Sequence, residues 1–458
     1  MFPYRRSGRT TLVAATAAVL TCWSCSSPES SLQSQFSKGA GVITLPDGVT
    51  NLTRELRLPP NASNVEIVGG KDSVLRADQG FDGRSVIVVQ NASRVKLRNF
   101  KIEGNRADVE RPVDLPPASS AFLSHFQGNA IMIDDSKDVE VSNVGVREIG
   151  GFAVLASRVK RIKVQGLTVE ESGSRNTRGR NNTSGGVLFE EGTDDFEIRD
   201  SVFKKVLGNG IWTHSTYLSP RNFRGVIAGN RFELIGRDAI QVGHANRVRV
   251  ENNSGKFIGY PFNIVDVEGG GTPVAIDTAG KVDESVYTKN NFEEINGKCI
   301  DLDGFHDGEI SENTCISRGP AADYPQGHYA LVMNNANQNM ESQLIIVRDN
   351  IFDGTRFGGI FVIGKNHQIL RNKLLNLNKW HCNDGLPDLK CEPVPDQPQL
   401  TEAGIYLGVK AERSAPSTGV KIMDNEISGY HMAANCVVSA PTLAPGENEI
   451  KNNKCKNE

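Results

Sequence analysis

The sequence predicts an all-β fold, a single-stranded right-handed parallel β-helix, and three observations carry the prediction. One short pattern recurs along the chain, an apolar residue, a turn ending in Asn, one residue, then Phe, Ile, Leu or Cys. It reads IAGNRF at 227–232, ISENTC at 310–315, RDNIF at 348–352, ILRNKL at 369–374, IMDNEI at 422–427 and IKNNKC at 450–455. Where nothing is inserted, these asparagines fall 22 or 23 residues apart, as from Asn230 to Asn253, Asn290 to Asn313 and Asn350 to Asn372. Each repeat also carries a third strand with period-two alternation, which marks one buried face. Repeats of this length mean stacked structural units, and three strands per turn repeated about eleven times describe a solenoid.

Taken in chain order, residues 1–25 read as an export signal: Arg5, Arg6 and Arg9 precede an apolar run from Leu12 to Leu20. That run is too short to span a bilayer as a permanent helix. Cys25, followed by SSPESS, is placed like the lipidated cysteine of a bacterial lipoprotein, with Cys22 as its rival and Trp23 an unusual bulky neighbour. Residues 26–40 read as a Ser-rich linker and 41–458 as one β-helix domain. The expected location is the periplasm, the outer membrane or cell surface, or the extracellular medium.

Within the domain the third strands align as NAIMIDD (129–135), FAVLAS (152–157), GGVLFEE (185–191), NGIWTHS (209–215), DAIQVGH (238–244), KCIDLDG (298–304), GGIFVIG (358–364) and AGIYLGV (403–409). Stacked coils bring each turn Asn beside the next at about 4.8 Å, so the asparagines are expected to form an architectural amide ladder. Forty-six glycines and few aromatics suit strands and turns. A net charge of −3 gives no electrostatic ground for a nucleic-acid partner.

The coils, the Asn turns and the opening GAGVITLPDGVTNLTRELRLPPNASNVEIVGG (39–70) resemble the pectate-lyase-like superfamily of right-handed β-helix proteins, from Gly41 to the C-terminus. That superfamily includes lyases, hydrolases, epimerases and non-catalytic spikes, so the resemblance implies fold more than function.

In an oxidising compartment the six cysteines beyond the signal become candidates for pairing. A Cys382–Cys391 bridge is expected to close the coreless loop HCNDGLPDLKC, while Cys299, Cys315, Cys436 and Cys455 are left open.

Insertions locate the working face. The Asn turn is never lengthened, whereas loops before the third strand expand at 103–127, 170–184, 255–272, 317–327 and 375–401. They would wall a groove floored by the third strands, and the resemblance implies an extended polysaccharide in it. Taking each strand's Ile as inward, alternation points Glu190, Trp212, His214, Gln241, Asp277, Asp301, Asp303 and Asn334 outward. Asp277, Asp301 and Asp303 are the expected catalytic residues. Asp301 and Asp303 are about 6.7 Å apart along one strand, Asp277 and Asp303 about 4.8 Å apart on adjacent coils, and both separations suit paired glycosidase carboxyls. Crowding would raise one carboxyl to serve as general acid. Trp212 offers a face for a sugar ring, with Glu190, His214, Gln241, His244, His306 and Asn334 as further substrate contacts.

Other readings stand beside this one. The aspartates also suit turns, or Ca²⁺, although glycoside hydrolysis requires no cofactor. The polygalacturonase motifs are missing: there is no Asn-Thr-Asp, and GHA (243–245) and RIK (161–163) stand in the wrong order. A lyase acting on a uronate polymer would need a basic wall, which Arg175, Arg178 and Arg180 could supply. A non-catalytic carbohydrate-binding or structural β-helix would need no paired carboxylates.

Overall fold

The computed structural model describes residues 27–109, 116–117, 119–176, 179–181, 184–216, 219–261, 272–320, 323–379 and 396–458. The export signal with Cys22 and Cys25, Arg178, and the Cys382–Cys391 pair lie outside the described residues. No helix among those described is long and apolar enough to cross a membrane.

The chain winds as a parallel β-helix in which each strand pairs in register with its equivalent one coil away. The inner row of the third strands shows the rule: Ile87, Ile131, Val154, Val187, Ile211, Ile240, Ile276, Ile300, Leu331, Ile360 and Ile405 are successive partners. All are buried, because period two turns the same side chain inward on every coil. After the Asn turn a second row stacks Phe203, Phe232, Gly255, Phe292, Cys315 and Phe352. Gly255 is required there, since a Cβ would lie 2.7 Å from the Phe292 ring. Cys299–Cys315 and Cys436–Cys455 are joined as disulfides.

The amide ladder runs unbroken through Asn230, Asn253, Asn290, Asn313, Asn350, Asn372, Asn425 and Asn453. Each Nδ2 donates to the next Oδ1 at 2.8–3.0 Å. Each Nδ2 also donates to a carbonyl of the preceding coil, as Asn313 does to Tyr287 at 2.9 Å. Ser201 prefixes the ladder, its N–H donating to Asn230 Oδ1 at 3.1 Å. The residue before each rung takes a positive φ, for example Gly229 at 67° and Asn252 at 54°. Gly, Asn and Asp tolerate this left-handed bend best, which suits Gly229, Asn252, Asp349, Asp424 and Asn452; Lys289, Glu312 and Arg371 adopt it too.

One boundary differs from expectation. Residues Pro28–Phe36, read as part of a linker, form a helix with Ser27 as N-cap and Pro28 in its first turn. Leu32 and Phe36, one helical turn apart, are buried against the first coil, and Glu29 accepts the N–H groups of Thr53 and Arg54 at 3.0 Å. The Ser-rich composition hid an apolar pair at helical spacing.

Candidate active site

The residue after each inner-row Ile points outward, and these residues also stack into one row: Val88, Met132, Leu155, Leu188, Trp212, Gln241, Asp277, Asp301, Val332, Phe361 and Tyr406. Polar side chains occupy only its centre. There Asn209 Nδ2 donates to Gln241 Oε1 at 3.0 Å, and Gln241 Nε2 donates to Asp277 Oδ2 at 2.6 Å. Asp277 and Asp301 are register partners on adjacent coils. The expectation that Asp303 neighbours Asp277 is therefore corrected. Asp303 lies two residues farther along, beside Asn334, and its Oδ1 accepts the Ala336 N–H at 2.7 Å.

Two residues that the alternation rule overlooked complete the centre. Lys298 Nζ donates to Asp301 Oδ2, and Asp238 Oδ1 accepts the Val274 N–H at 3.0 Å. Both stand two positions before an inner-row Ile. A corner at the strand start turns the intervening Ala239 and Cys299 inward as well, so Asp238 and Lys298 share the outward side with Asp277 and Asp301. The signal was available in DAI and KCI, where other coils carry uncharged residues such as Asn, Phe, Gly, Val, Tyr and Ala at that place.

The electrostatics follow from crowding out of water. Asp277 is 8% exposed and Asp301 6%. Burial, then the Asp238 and Asp301 carboxylates, push the Asp277 carboxyl well above its ordinary value. Burial likewise raises Asp238 to about 6 and Asp303 to about 6. Burial alone would lower the Lys298 ammonium, but Asp301 and Asp277 outweigh it and hold it above the usual value. One Asp301 oxygen, Oδ1, finds no hydrogen-bond partner among the described residues. The cluster thus holds a carboxyl biased toward its neutral form beside a carboxylate paired with an ammonium, the asymmetry that acid–base chemistry needs. His328, buried within reach of the Lys298 charge, is lowered to about 3 and stays neutral.

Several expected sugar contacts lie elsewhere in function of the fold. Trp212 is covered: Phe122 packs on it with ring centroids 5.0 Å apart and stacks on His214 at 4.3 Å. Glu190 is fully buried, its two oxygens accepting the N–H groups of Phe122 and Leu123 at 2.8 and 2.7 Å. These three residues hold down the loop instead of facing solvent, because the loop supplies its own aromatic. Burial raises Glu190 to about 7 and lowers His214 to about 3. His244 is buried at a bend with φ 42° and is lowered by burial to about 4. His306 pairs with Asp283 on the next strand and contacts Asp307 at 2.7 Å, outside the polar centre. Arg175 Nε donates to Gly179 O within its own loop at 2.7 Å. Glu190, Glu191 and His214 bring ligand-type atoms within 4.8 Å, but both Glu190 oxygens are already engaged.

A family model described as right handed beta helix region matches residues 85–276. Among solved structures, the surface adhesin PfbA of Streptococcus pneumoniae is similar at 12% identity and a TM-score of 0.55, covering 76% of this chain and 85% of that one. DFA-IIIase from Arthrobacter chlorophenolicus A6 is similar at 12% identity and a TM-score of 0.50, covering 90% and 89%. A UPF0200 protein of Methanoregula boonei is 29% identical over 135 residues, 28% of this chain and 68% of that protein. The family model and the two solved structures show the fold.

Proposed function

We propose that this right-handed parallel β-helix protein is an exported polysaccharide-processing enzyme, a glycoside hydrolase whose general acid is Asp277 and whose base or nucleophile is Asp301. Similar folds carry both an adhesin and DFA-IIIase, so the fold leaves activity open and the site must decide. The observation that carries the reading is the in-register pair Asp277–Asp301, buried with Asp238 and Lys298 at the only polar stretch of the described outward row. Buried, mutually repelling carboxyls cost folding energy whatever their use, and an interaction surface has no need of them, whereas acid–base chemistry does.

In the reaction the bond between anomeric carbon and leaving oxygen breaks. The neutral Asp277 carboxyl donates its proton to that oxygen while the Asp301 carboxylate bonds to the anomeric carbon, the course that closely spaced carboxyls suit; water then displaces Asp301, its hydroxyl going to the anomeric carbon and its proton to the Asp277 carboxylate. Lys298 donates to Asp301 and holds that side chain in place, Gln241 orients Asp277, and Asp303 stands two residues along the strand for a substrate hydroxyl. No cofactor is needed for this chemistry; Ca²⁺ on the carboxylates is the metal alternative.

A lyase reading draws on Lys298 as a base near an acidic substrate. The raised Lys298 ammonium holds its proton and argues against that role. Incubation with a polysaccharide panel separates the readings: new reducing ends without ultraviolet-absorbing unsaturated uronates support hydrolysis, unsaturated products support elimination, and binding without cleavage supports a non-catalytic protein. Processing of the leader with lipid attachment at Cys25, read by mass spectrometry, tests the anchor.

A further inference from the structure

The outward row is covered on both sides of its polar centre. On the N-terminal side the segment carrying the short turn Phe122–Ser124 lies across the coils, and Phe122, Leu123 and Phe126 form a cluster with Val88, Met132, Phe152, Leu155, Leu188 and Trp212. This second apolar core sits outside the solenoid wall. The segment is pinned by polar contacts as well: Glu190 takes two of its N–H groups, and Arg84 donates to the carbonyls of Leu123 and Phe126. Asn129 adds a bond to the Phe126 carbonyl at 3.3 Å. On the C-terminal side Phe361 and Tyr406 are buried, with stacked rings at 6.4 Å. There the turn Leu400–Glu402 is tied down by the Tyr329 hydroxyl donating to the Leu400 carbonyl, and Gln397 Oε1 accepts the Val409 N–H at 3.0 Å.

Between the two covers lie Gln241, Asp277, Asp301 and Val332, one per coil, spanning about 15 Å at about 4.8 Å per coil. An extended polymer lying along the axis would meet the Phe122 segment one coil beyond Gln241. We infer that the site is a pocket closed at both ends of the row, which takes a glycan terminus or a short oligosaccharide and not the interior of a polymer. The enzyme then acts from chain ends, and Phe122, Leu123 and Phe126 set that specificity without touching the reacting atoms. This rests on the hydrolase reading above.

The test uses the full chain with the polymers of the panel and with end-labelled oligosaccharides of increasing length made from any polymer that is cleaved. The expected result is one short product size from the first time point, viscosity falling slowly against reducing ends, and kcat/KM that stops rising once the oligosaccharide fills the pocket. Joint replacement Phe122→Ala and Leu123→Ala should uncover the N-terminal coils, raising viscosity loss per bond cleaved several-fold and letting kcat/KM rise with longer chains. If that variant fails to fold, the wild-type length series decides alone. Mixed product lengths with an immediate viscosity collapse in the wild type overturn the inference while leaving hydrolysis standing. Absence of cleavage of every polymer and oligosaccharide refutes the hydrolase reading, and the inference falls with it.

Discussion

Replacing Asn313 by alanine removes the side chain with partners on both neighbouring coils. Its Nδ2 donates to Asn350 Oδ1 at 3.0 Å and to the Tyr287 carbonyl at 2.9 Å, and its Oδ1 accepts the Asn290 N–H at 3.1 Å and Asn290 Nδ2 at 2.8 Å. Not every partner is orphaned. Asn290 Nδ2 keeps the Val250 carbonyl, and Asn350 Oδ1 keeps the Asn313 N–H. The Asn290 N–H and the Tyr287 carbonyl lose these side-chain bonds, and each buried polar group left unsatisfied costs about 1–3 kcal/mol. The substitution should therefore destabilise by roughly 2–6 kcal/mol, before any cost of the small void. Asn453, the part-buried last rung, provides the internal control and should cost less on replacement by alanine. Urea titration followed by circular dichroism reads the difference, with hydrogen exchange locating it. Exchange should rise in the coils of Tyr287 to Asn350 for Asn313→Ala. An unchanged urea midpoint, or equal losses at Asn313 and Asn453, would refute the ladder as a cooperative structural device.

Asp277→Asn should lower turnover at least about a hundredfold with little change in melting, since shape survives and ionisation does not; loss of fold instead would assign Asp277 to architecture. Asp301→Asn should lower turnover as much and also destabilise, because it leaves the buried Lys298 ammonium without its carboxylate. Lys298→Met leaves the Asp301 carboxylate buried without its ammonium, and breaking such a pair costs about 3–5 kcal/mol, readable in the same urea titration. Burial pushes the folded Glu190 carboxyl from its ordinary 4.5 up to about 7, so the folded chain binds the extra proton between them. Its contribution to stability is full below 4.5 and is lost as pH rises through 7, at most about 3 kcal/mol, and Glu190→Gln should flatten that slope in melts from pH 4 to 8. Reduction of Cys436–Cys455 should free the last coil first, seen as faster exchange after 436 with the middle coils unaltered.

Much of the solenoid was legible because its signals repeat. The Asn rungs and the inward Ile row recur at fixed spacing, and a recurring residue reports its own environment. The polar centre was half legible. Asp277 and Asp301 follow from alternation, but Asp238 and Lys298 do not, because a corner before the strand breaks the period of two and sends two successive residues inward. Register across coils was the other loss: loop insertions shift the count, which is how Asp303 was set beside Asp277 in place of Asp301. The roof was invisible for a different reason. Phe122, Leu123 and Phe126 belong to a single insertion that repeats nowhere, so nothing in the sequence states which coils they cover. Without the roof, Glu190, Trp212 and His214 read as solvent-facing; Glu190 and Trp212 are buried and His214 half-buried beneath Phe122.

The outward row assigns one side chain to each coil, which makes the solenoid a graduated scale. Adding one 22- or 23-residue unit between Trp212 and Gln241, which sit on adjacent coils, would slide the Phe122 cover away from the carboxylates by one division of about 4.8 Å. Neither end would need redesign. On the proposed hydrolase reading, substrate length is thus a discrete variable in this architecture, changed by whole-unit insertion, while the identity of the proposed catalytic side chains is changed by point substitution, and the two can evolve separately.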